Sequence, residues 1–291
     1  MALELALGYD RSGKEKADFH GHPILEPSYD KDFGLEKYFK IAGARGLTLP
    51  PITEFGDQED RLGKFYESII PYDWDKEKFE QGFVVYGKEN PHAQIKRVIF
   101  LRTKEIPTKD GHVLLVGLSE RSKVKNNESL DETLIKAEAE GVLIIADHPL
   151  VPKARGGMGK ENVTKNQYRI NAIELNSQCP AIWNEKAKQL AEELGLAIVA
   201  NSDFHMSHQS WLPYFHGGTQ EKFGLGLNYN EFSRLGDFSS QWIEQIKEEI
   251  TSRRHTYQHQ EISQWNVLRW HAGLAASIIK DKMSGKQGPA N

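Results

Sequence analysis

The sequence has little cysteine and no long apolar run, and its charges nearly balance. Cys179 is the single cysteine among 291 residues, which excludes an internal disulfide and a cluster of thiolate ligands. Any metal site must therefore use histidines and carboxylates. The lone cysteine also fits a reducing compartment, so a cytoplasmic location is expected. A net charge of −4 gives no electrostatic signature of nucleic-acid binding, and nucleic acid is not indicated as a partner.

The apolar segments are too short for a membrane protein. None approaches the ~20 residues of a membrane span, and the first residues, interrupted by Glu4, lack the basic region of a signal peptide. Neither insertion nor secretion is expected. Because the chain has no internal repeat and no low-complexity linker, it is predicted to form one domain. That domain covers residues 17–283, with an N-terminal arm at 1–16, a C-terminal helix within 258–283 and a disordered tail at 284–291.

Metal-ligating residue types follow three apolar segments that are predicted to be buried strands. They are His20 and His22 near the start, His148 after residues 141–146, and Asp203 and His205 after residues 194–200. Side chains alternate along a strand, so Asp203 and His205 are expected to face one site. His20 and His22 flank a glycine and are expected to meet one cation. The three strand ends together favour a metal site over a surface His-Gly-His pair.

Strand and helix patterns alternate along the chain. Helical spacing marks residues 34–46, two segments within 58–92, and residues 130–140, 182–194 and 242–250. Strand patterns mark residues 47–53, whose two prolines favour an edge or a bulge, and residues 97–105, 112–118 and 171–176. Residues 153–160 are expected to form an irregular loop. Alternating elements with functional residues at strand ends indicate a parallel barrel or a doubly wound sheet.

The order of these residues resembles the PHP (polymerase and histidinol phosphatase) family of metal-dependent phosphoesterases. The likeness covers about residues 17–258 and rests on the His20-Gly21-His22 motif, Glu105 before a turn and the strand from His112, His148-Pro149, the strand at 173–176, and residues 201–205. The resemblance implies an α/β fold, a distorted (β/α)7 TIM-like barrel in a single domain. It also implies divalent metals, Zn, Mn or Fe, held at the strand ends.

The resemblance assigns roles by position. It implies that His20, His22, Glu105 and Asp203 bind one metal with Glu105 bridging, and that His148 and His205 bind the others. Asp203, His205 and His148 are the candidate catalytic residues. Asp18 is expected to orient one of the histidines.

One departure from the family pattern limits the number of metals. Thr53-Glu54-Phe55 stands where the family usually has Thr-Asp-His, so a usual histidine ligand is absent and Glu54 is the candidate replacement. We therefore expect two divalent ions and leave a third open. Asp30 and Asp32 both lie where the family often places an aspartate, and the choice between them stays open.

A basic segment after the His148 strand is a candidate for substrate binding. It contains Lys153, Arg155 and Lys160, and its glycines would let backbone amides approach an anion. Arginine suits this role because its planar guanidinium can pair with phosphate through two hydrogen bonds. The alternative interpretation is a solvated basic loop.

The predicted function is hydrolysis of phosphate esters by a metal-activated water, with a small phosphomonoester or a nucleotide as substrate. Two alternatives remain: an amidohydrolase-like metallohydrolase, which the Asp203-x-His205 spacing disfavours, and a degenerate, non-catalytic metal-binding PHP domain, which Glu54-Phe55 keeps open. A small phosphorylated substrate is the expected partner. Homo-oligomerisation also stays open.

Overall fold

The computed structural model describes residues 14–22, 46–56, 75–86, 97–205, 228–236 and 239–259. The strands are β1 Lys14–Ala17, β2 Gly21–His22, β3 Thr53–Phe55, β4 Asp75–Phe79, β5 Gly82–Tyr86, β6 Arg97–Leu101, β7 Thr103–Thr108, β8 Gly111–Val116, β9 Leu143–Ala146, β10 Ala172–Asn176, β11 Ala197–Asn201, β12 Phe204–His205, β13 Tyr229–Ser233 and β14 Thr256–Gln258. The helices are α1 Leu130–Ala139, α2 Gly159–Lys165, α3 Ala181–Leu194 and α4 Trp242–Thr251, with 3-10 turns at Lys153–Arg155 and Ser239–Gln241. Within these ranges, no helix has both the length and the apolar character that crossing a membrane requires.

The main sheet has six strands in the order β11-β10-β9-β8-β7-β3. Strands β9, β10 and β11 run parallel to one another, as do β3 and β7, while β8 is antiparallel to both of its neighbours. The predicted α/β class is therefore confirmed. The sheet is mixed, and the described strands do not close it into the predicted barrel, because β7 and β8 form a hairpin where a barrel would have a helical crossover. Strand β3 lies at the sheet edge, as its preceding prolines predicted.

The segment that carries His20 and His22 lies between the two ends of this sheet. On one side, the backbone N of Asp18 donates to the carbonyl of Leu49 (3.1 Å), and the backbone N of Gly21 donates to Thr53 Oγ1 (3.1 Å). On the other side, β2 pairs in parallel with β12. The two histidines are thereby placed beside the ends of β3 and β11.

Two apolar clusters cover the faces of the main sheet. Successive residues of β8 alternate between them: Val113 and Leu115 pack with α1 and α3, whereas Leu114 and Val116 pack with Trp242 of α4. This alternation follows from the period of two along a strand. The central strands of the sheet are therefore buried on both faces.

Local capping explains why the predicted bounds of α1 and α3 agree with the structure. At the start of α1, Ser129 Oγ accepts from the backbone N of Glu132 (3.3 Å), and Glu132 Oε2 accepts from the backbone N of Ser129 (3.2 Å). This is a capping box. Helix α3 ends at Gly195, whose φ of 67° lies in the left-handed region that favours glycine.

The helices predicted within residues 58–92 are wrong where the structure describes that region. Residues 75–86 form the hairpin β4–β5, and β5 pairs with β6 in a separate three-stranded sheet. Phe83, Val84 and Val85 are buried, and such β-branched and aromatic residues favour strands. Residues 75–78 are all charged, so β4 lacks the apolar alternation that marks a strand in a sequence. Residues 57–74 and 87–92 lie outside the described ranges.

Two smaller expectations also change, the N-terminal arm gains a strand, and others fall outside the described residues. The strand predicted at 97–105 is broken at Arg102 into β6 and β7, which belong to different sheets. Residues 153–160 are not irregular throughout, since they contain a 3-10 turn and the start of α2. Lys14–Lys16, assigned to an N-terminal arm, form part of β1 and pair with β13. The predicted helix at 34–46, almost all of that at 258–283 and the tail lie outside the described residues.

A buried asparagine offers a test of how β13 supports the site. Asn230 Oδ1 accepts from the backbone N of Ala200 (2.8 Å), and its Nδ2 donates to the carbonyls of Ala200 (3.1 Å) and Ala17 (3.2 Å). Asn230→Ala should lower the free energy of unfolding by about 1–3 kcal/mol, because it leaves buried backbone groups unpaired. Chemical denaturation measures this. Ser233→Ala, at the exposed end of the same strand, should change stability by less than about 0.5 kcal/mol, and equal effects would contradict the assignment.

Candidate metal centre

Glu105 lies between two pairs of histidines. Its Oε2 is 3.1 Å from His22 Nε2 and 3.6 Å from His20 Nε2. Its Oε1 is 2.5 Å from His112 Nδ1 and 3.5 Å from His148 Nε2. Burial alone would raise the pKa of Glu105, but hydrogen bonds from the surrounding histidines hold it well below its usual value. A carboxylate whose two oxygens face separate donor groups has the arrangement needed to bridge two cations.

The first donor group consists of His20, His22 and Asp203. The Nε2 atoms of the two histidines are 3.0 Å apart, and Asp203 Oδ1 lies 3.4 Å and 3.6 Å from them. His22 Nδ1 is 3.1 Å from the carbonyl oxygen of Thr53, to which it donates, so its Nε2 faces the group. The structure thus brings together the two histidines and the aspartate that the sequence analysis selected.

The second donor group consists of Glu105, His112, Asp147 and His148, whose ligand atoms lie within 4.8 Å of one another. Asp147 is fully buried, and its Oδ1 and Oδ2 lie 3.2 Å from His20 Nδ1 and 3.2 Å from His148 Nε2, respectively. Burial raises the pKa of this carboxyl well above its usual value, although the charges of His148 and His20 oppose the shift. A buried carboxylate beside these histidines fits a cation, and mixed histidine and carboxylate ligands suit Zn, Mn or Fe.

His112 and Asp147 were missed as site residues, although the sequence carried a signal for each. His112 pairs with Pro107 across the β7–β8 hairpin, which places it diagonally opposite Glu105 on one face. A two-residue turn at Lys109 and Asp110 would have predicted that register. Asp147 directly precedes His148, at the end of a fully buried strand.

The expected geometry of the Asp203 segment is wrong. Strand β11 ends at Asn201, and Asp203 has a φ of 48°, in the left-handed region, before β12 begins. The alternation of side chains along a continuous strand therefore does not apply across Asp203 and His205. His148 has a φ of 25° and shows a second such conformation. Non-glycine residues held this way cost about 1–3 kcal/mol each and concentrate at functional sites. The side chain of His205 lies outside the described atoms.

Glu54 is not brought to either donor group. Its Oε2 lies 3.2 Å from Lys104 Nζ, and the two residues are partners across β3 and β7. The next residue, Phe55, points to the opposite face, where its ring centroid is 5.6 Å from that of His112 and 6.5 Å from that of His22. An aromatic ring thus occupies the side of β3 that faces the site, and the expected replacement by Glu54 is not supported.

The three basic candidates differ in position. Lys160 Nζ pairs with Glu193 Oε2 at 2.7 Å on the exposed surface, and Lys153 is also exposed. The Arg155 guanidinium lies over the ring of Trp183, 5.8 Å from its centroid.

The loop that holds these residues does contact the site, through Gly156. The carbonyl of Gly156 accepts from the backbone N of His112 (2.7 Å), and a Cβ at Gly156 would lie 2.4 Å from His112 Nδ1. The site therefore has one wall in this loop. Asp30 and Asp32 fall outside the described residues.

The Asp18 carboxylate accepts hydrogen bonds from backbone N–H groups and not from an imidazole ring. Its Oδ1 accepts from the backbone N atoms of His20 (3.2 Å) and Ser202 (3.1 Å). Burial raises the pKa of Asp18 to about 7 in spite of these hydrogen bonds. The carboxylate that reaches the His20 ring is Glu174, whose Oε1 lies 2.8 Å from His20 Nδ1. Burial would raise the pKa of Glu174, but the charge and hydrogen bond of His20 lower it to about 2.

Comparison with known proteins finds the fold but no close relative. No family model and no curated protein matches the sequence. The crystal structure of PsfC from Pseudomonas syringae PB-5123 matches with a TM-score of 0.57 at 14% identity, covering 92% of this chain and 99% of PsfC. The lesion-specific endonuclease PfuEndoQ from Pyrococcus furiosus matches with a TM-score of 0.52 at 16% identity, covering 84% of this chain and 57% of that protein.

A third match connects the fold to the family resemblance. A two-domain protein from Bacteroides vulgatus ATCC 8482, described as containing a predicted PHP-like metal-dependent phosphoesterase, matches with a TM-score of 0.50 at 14% identity. The match covers 87% of this chain and 67% of that protein. Identities this low establish the fold alone. At the level of the fold, the resemblance to PHP-like proteins that the sequence indicated is confirmed.

The role of His112 can be tested by metal content. His112→Ala removes one donor of the second donor group but keeps the backbone hydrogen bond to Gly156, so bound divalent ions should fall by about half while the fold persists. Elemental analysis after gel filtration measures the content. His255→Ala is the matched control, because the His255 ring contacts the carbonyl of Ile198 and lies in neither donor group. Unchanged ion content in His112→Ala would remove this histidine from the site.

Proposed function

We propose that this protein is a metal-dependent hydrolase of phosphate esters, acting on a small phosphomonoester or a nucleotide. The observation that carries the proposal is the position of Glu105, with one oxygen toward the first donor group and the other toward the second. Bound divalent ions would clamp phosphoryl oxygens and lower the pKa of an attacking water. Such chemistry needs no covalent nucleophile from the protein.

The residues of the chain have separate tasks in this proposal. His20, His22 and Asp203 hold one ion, and His112, Asp147 and His148 hold the second. Asp203 Oδ2 accepts from Asn176 Nδ2 (3.0 Å), which keeps Oδ1 directed at the histidines. His205 follows on β12 and remains a proposed ligand and catalytic residue, together with Asp203 and His148. Two ions, Zn, Mn or Fe, satisfy these donors, and the Phe55 ring argues against a third near β3.

The arrangement of strands supports a finer description of the fold. The segment from Asp18 to His22 bonds to residues near β3 on one side and to β12 on the other. We infer that these strands belong to one distorted, barrel-like domain. In such a domain, strand ends that are distant in sequence meet at one site.

A phosphodiester substrate is the second candidate. The observation that favours it is the shared fold with a lesion-specific endonuclease. The net charge of −4 argues for a small substrate over a long nucleic acid. A degenerate domain that binds metal without turnover is the remaining alternative, and it predicts ion binding with no hydrolysis of either ester class.

Asp203→Asn tests the catalytic proposal. The change keeps the shape of the side chain and removes the charge that faces the histidines, so turnover should be lost while the circular dichroism spectrum stays that of the parent. Hydrolysis of p-nitrophenyl phosphate and of bis-p-nitrophenyl phosphate, each with Mn²⁺ or Zn²⁺, distinguishes monoester from diester activity. The control is Asp131→Asn, an exposed aspartate paired with Lys165. Full activity in Asp203→Asn would exclude it from the site.

Arg155 is the proposed substrate contact of the basic loop, with Lys153 and Lys160 as weaker candidates. A guanidinium–phosphate pair contributes about 1.5–3 kcal/mol, so Arg155→Ala should lower kcat/KM about ten- to a hundred-fold without changing metal content. Arg155→Lys should recover part of the loss, because an ammonium lacks the planar fork. Arg169→Ala is the control, because this half-buried arginine stacks on Tyr168 and pairs with Glu138 outside the site. Equal kcat/KM in Arg155→Ala and Arg169→Ala would assign Arg155 to its contact with Trp183.

A further inference from the structure

Glu174 lies fully buried in β10, behind the first donor group, and accepts four hydrogen bonds. Its Oε1 is 2.8 Å from His20 Nδ1 and accepts from Asn201 Nδ2 at 2.9 Å. Its Oε2 accepts from the backbone N of His148 at 2.9 Å and from Asn176 Nδ2 at 3.1 Å. An ionised carboxylate has about four lone-pair positions, so this one is saturated.

The two amide donors are fixed in orientation by other bonds. Asn201 Oδ1 accepts from the backbone N of Phe19 (3.0 Å), and Asn176 Oδ1 accepts from the backbone N of Gln178 (2.8 Å). A backbone N–H can only donate, so each side-chain oxygen is held away from Glu174 and each NH2 faces it. All four hydrogen bonds that Glu174 accepts therefore come from groups that are held in place as hydrogen-bond donors.

This saturation separates Glu174 from its neighbour Asp147. Ligand atoms of His20, Asp147 and Glu174 lie within 4.8 Å of one another and form a possible cation site by distance alone. A cation there would have to displace donors that Glu174 already accepts. Asp147 differs, because its oxygens lie against imidazole nitrogens, Oδ1 at 3.2 Å from His20 Nδ1 and Oδ2 at 3.2 Å from His148 Nε2. Asp147 can therefore bind a cation beside His148, whereas Glu174 would have to give up its hydrogen bonds.

We propose that Glu174 is a positioning residue that keeps the proton of His20 on Nδ1 and directs Nε2 to a divalent cation in the first donor group. This inference rests on the proposed function. His20 Nδ1 lies 2.8 Å from Glu174 Oε1 and 3.2 Å from Asp147 Oδ1, so Glu174 is the nearer acceptor. His20 Nε2 faces Glu105 Oε2 at 3.6 Å and Asp203 Oδ1 at 3.4 Å. A ligand histidine whose second nitrogen donates to a carboxylate has a fixed ring and a more basic ligand atom.

The same carboxylate also contacts the second donor group. Its Oε2 accepts from the backbone N of His148, a residue in the strained left-handed region at φ 25°. Glu174 therefore stabilises the turn that directs the His148 ring toward Glu105. One buried side chain consequently sets the orientation of a ligand in each group.

Glu174→Gln is the informative variant because a glutamine keeps the size but adds a donor. Its NH2 group must face either the pair on Oε1 or the pair on Oε2, and both pairs consist of donors. The affinity for Zn²⁺, measured by competition with a chromophoric chelator, should fall about 10–100-fold. Glu174→Asp keeps the charge but shortens the side chain by one methylene, and it should also weaken Zn²⁺ binding. This variant replaces Glu174→Gln if the glutamine variant does not fold. Glu192→Gln on the exposed face of α3 is the control.

Two readouts distinguish positioning from a general structural effect. In the Zn²⁺-loaded parent, long-range ¹H–¹⁵N correlation spectra should show His20 protonated at Nδ1 and metal-bound at Nε2, and Glu174→Gln should lose the protected Nδ1 proton. In a His20→Ala background, Glu174→Gln should lower Zn²⁺ affinity several-fold less than it does in the parent, because only the contact of Glu174 with the backbone of His148 remains.

The outcomes separate this inference from the proposed function. Zn²⁺ binding that Glu174→Gln leaves unchanged, an equal loss of affinity in both backgrounds, or coordination of His20 through Nδ1 would overturn the inference alone. A folded parent that binds no divalent ion would overturn the proposed function and the inference together.

Discussion

The burial of several carboxylates around one imidazole is the constraint on which the rest of this structure depends. His20 is fully buried, and side-chain oxygens of Glu174, Asp147, Asp203 and Glu105 lie between 2.8 and 3.6 Å from its ring nitrogens. Like charges this close repel one another, and each costs several kcal/mol to remove from water. Such a group is stable only where hydrogen-bond donors or cations neutralise it. In this fold, side-chain amides supply the hydrogen-bond donors, and the two groups of metal ligands provide positions for cations.

Buried asparagines form the layer between this charged centre and the apolar core. Asn176 and Asn201 donate to Glu174, while Asn228 Nδ2 donates to the carbonyl of Asn201 (2.7 Å). Asn230 bonds to the backbone on both sides of the same region. An amide can donate and accept without carrying charge, so these side chains join strand ends without adding to the electrostatic repulsion.

The sequence predicted the parts of the site that are marked by local pattern. His20, His22, Glu105, His148 and Asp203 all follow or occupy recognisable strands, and the structure brings them together. The position of His112 follows from the register of the β7–β8 hairpin, and that of Asp147 follows from the end of a strand. Both can be predicted from the sequence. Glu174 could not be assigned from sequence, because its role depends on four donors from distant segments. Its saturation is a property of the folded structure.

Tertiary context also explains the wrong expectations about the fold. The charged residues of β4 carry no apolar alternation, and pairing with β5 determines their conformation. Glu54 has the chemistry of a ligand, but the neighbouring Phe55 occupies the face of β3 toward the site, and alternation directs Glu54 to Lys104. For Glu54 the residue type was interpreted correctly and the direction of its side chain was not. Direction on a strand changes with every residue, so one shift in register reverses it.

The pairing of β2 with β12 has a consequence for how the protein is made. His20 and Ser202 contact each other across 182 residues of sequence, whereas Glu105 and His112 are separated by seven. The contact between Glu105 and His112 can therefore form as soon as the β7–β8 hairpin has left the ribosome. The histidine pair near the N-terminus must wait, without its aspartate, until most of the chain has been synthesised. Until then its imidazoles are exposed to metal ions in solution, so the synthesis of β12 determines when the cation can become enclosed.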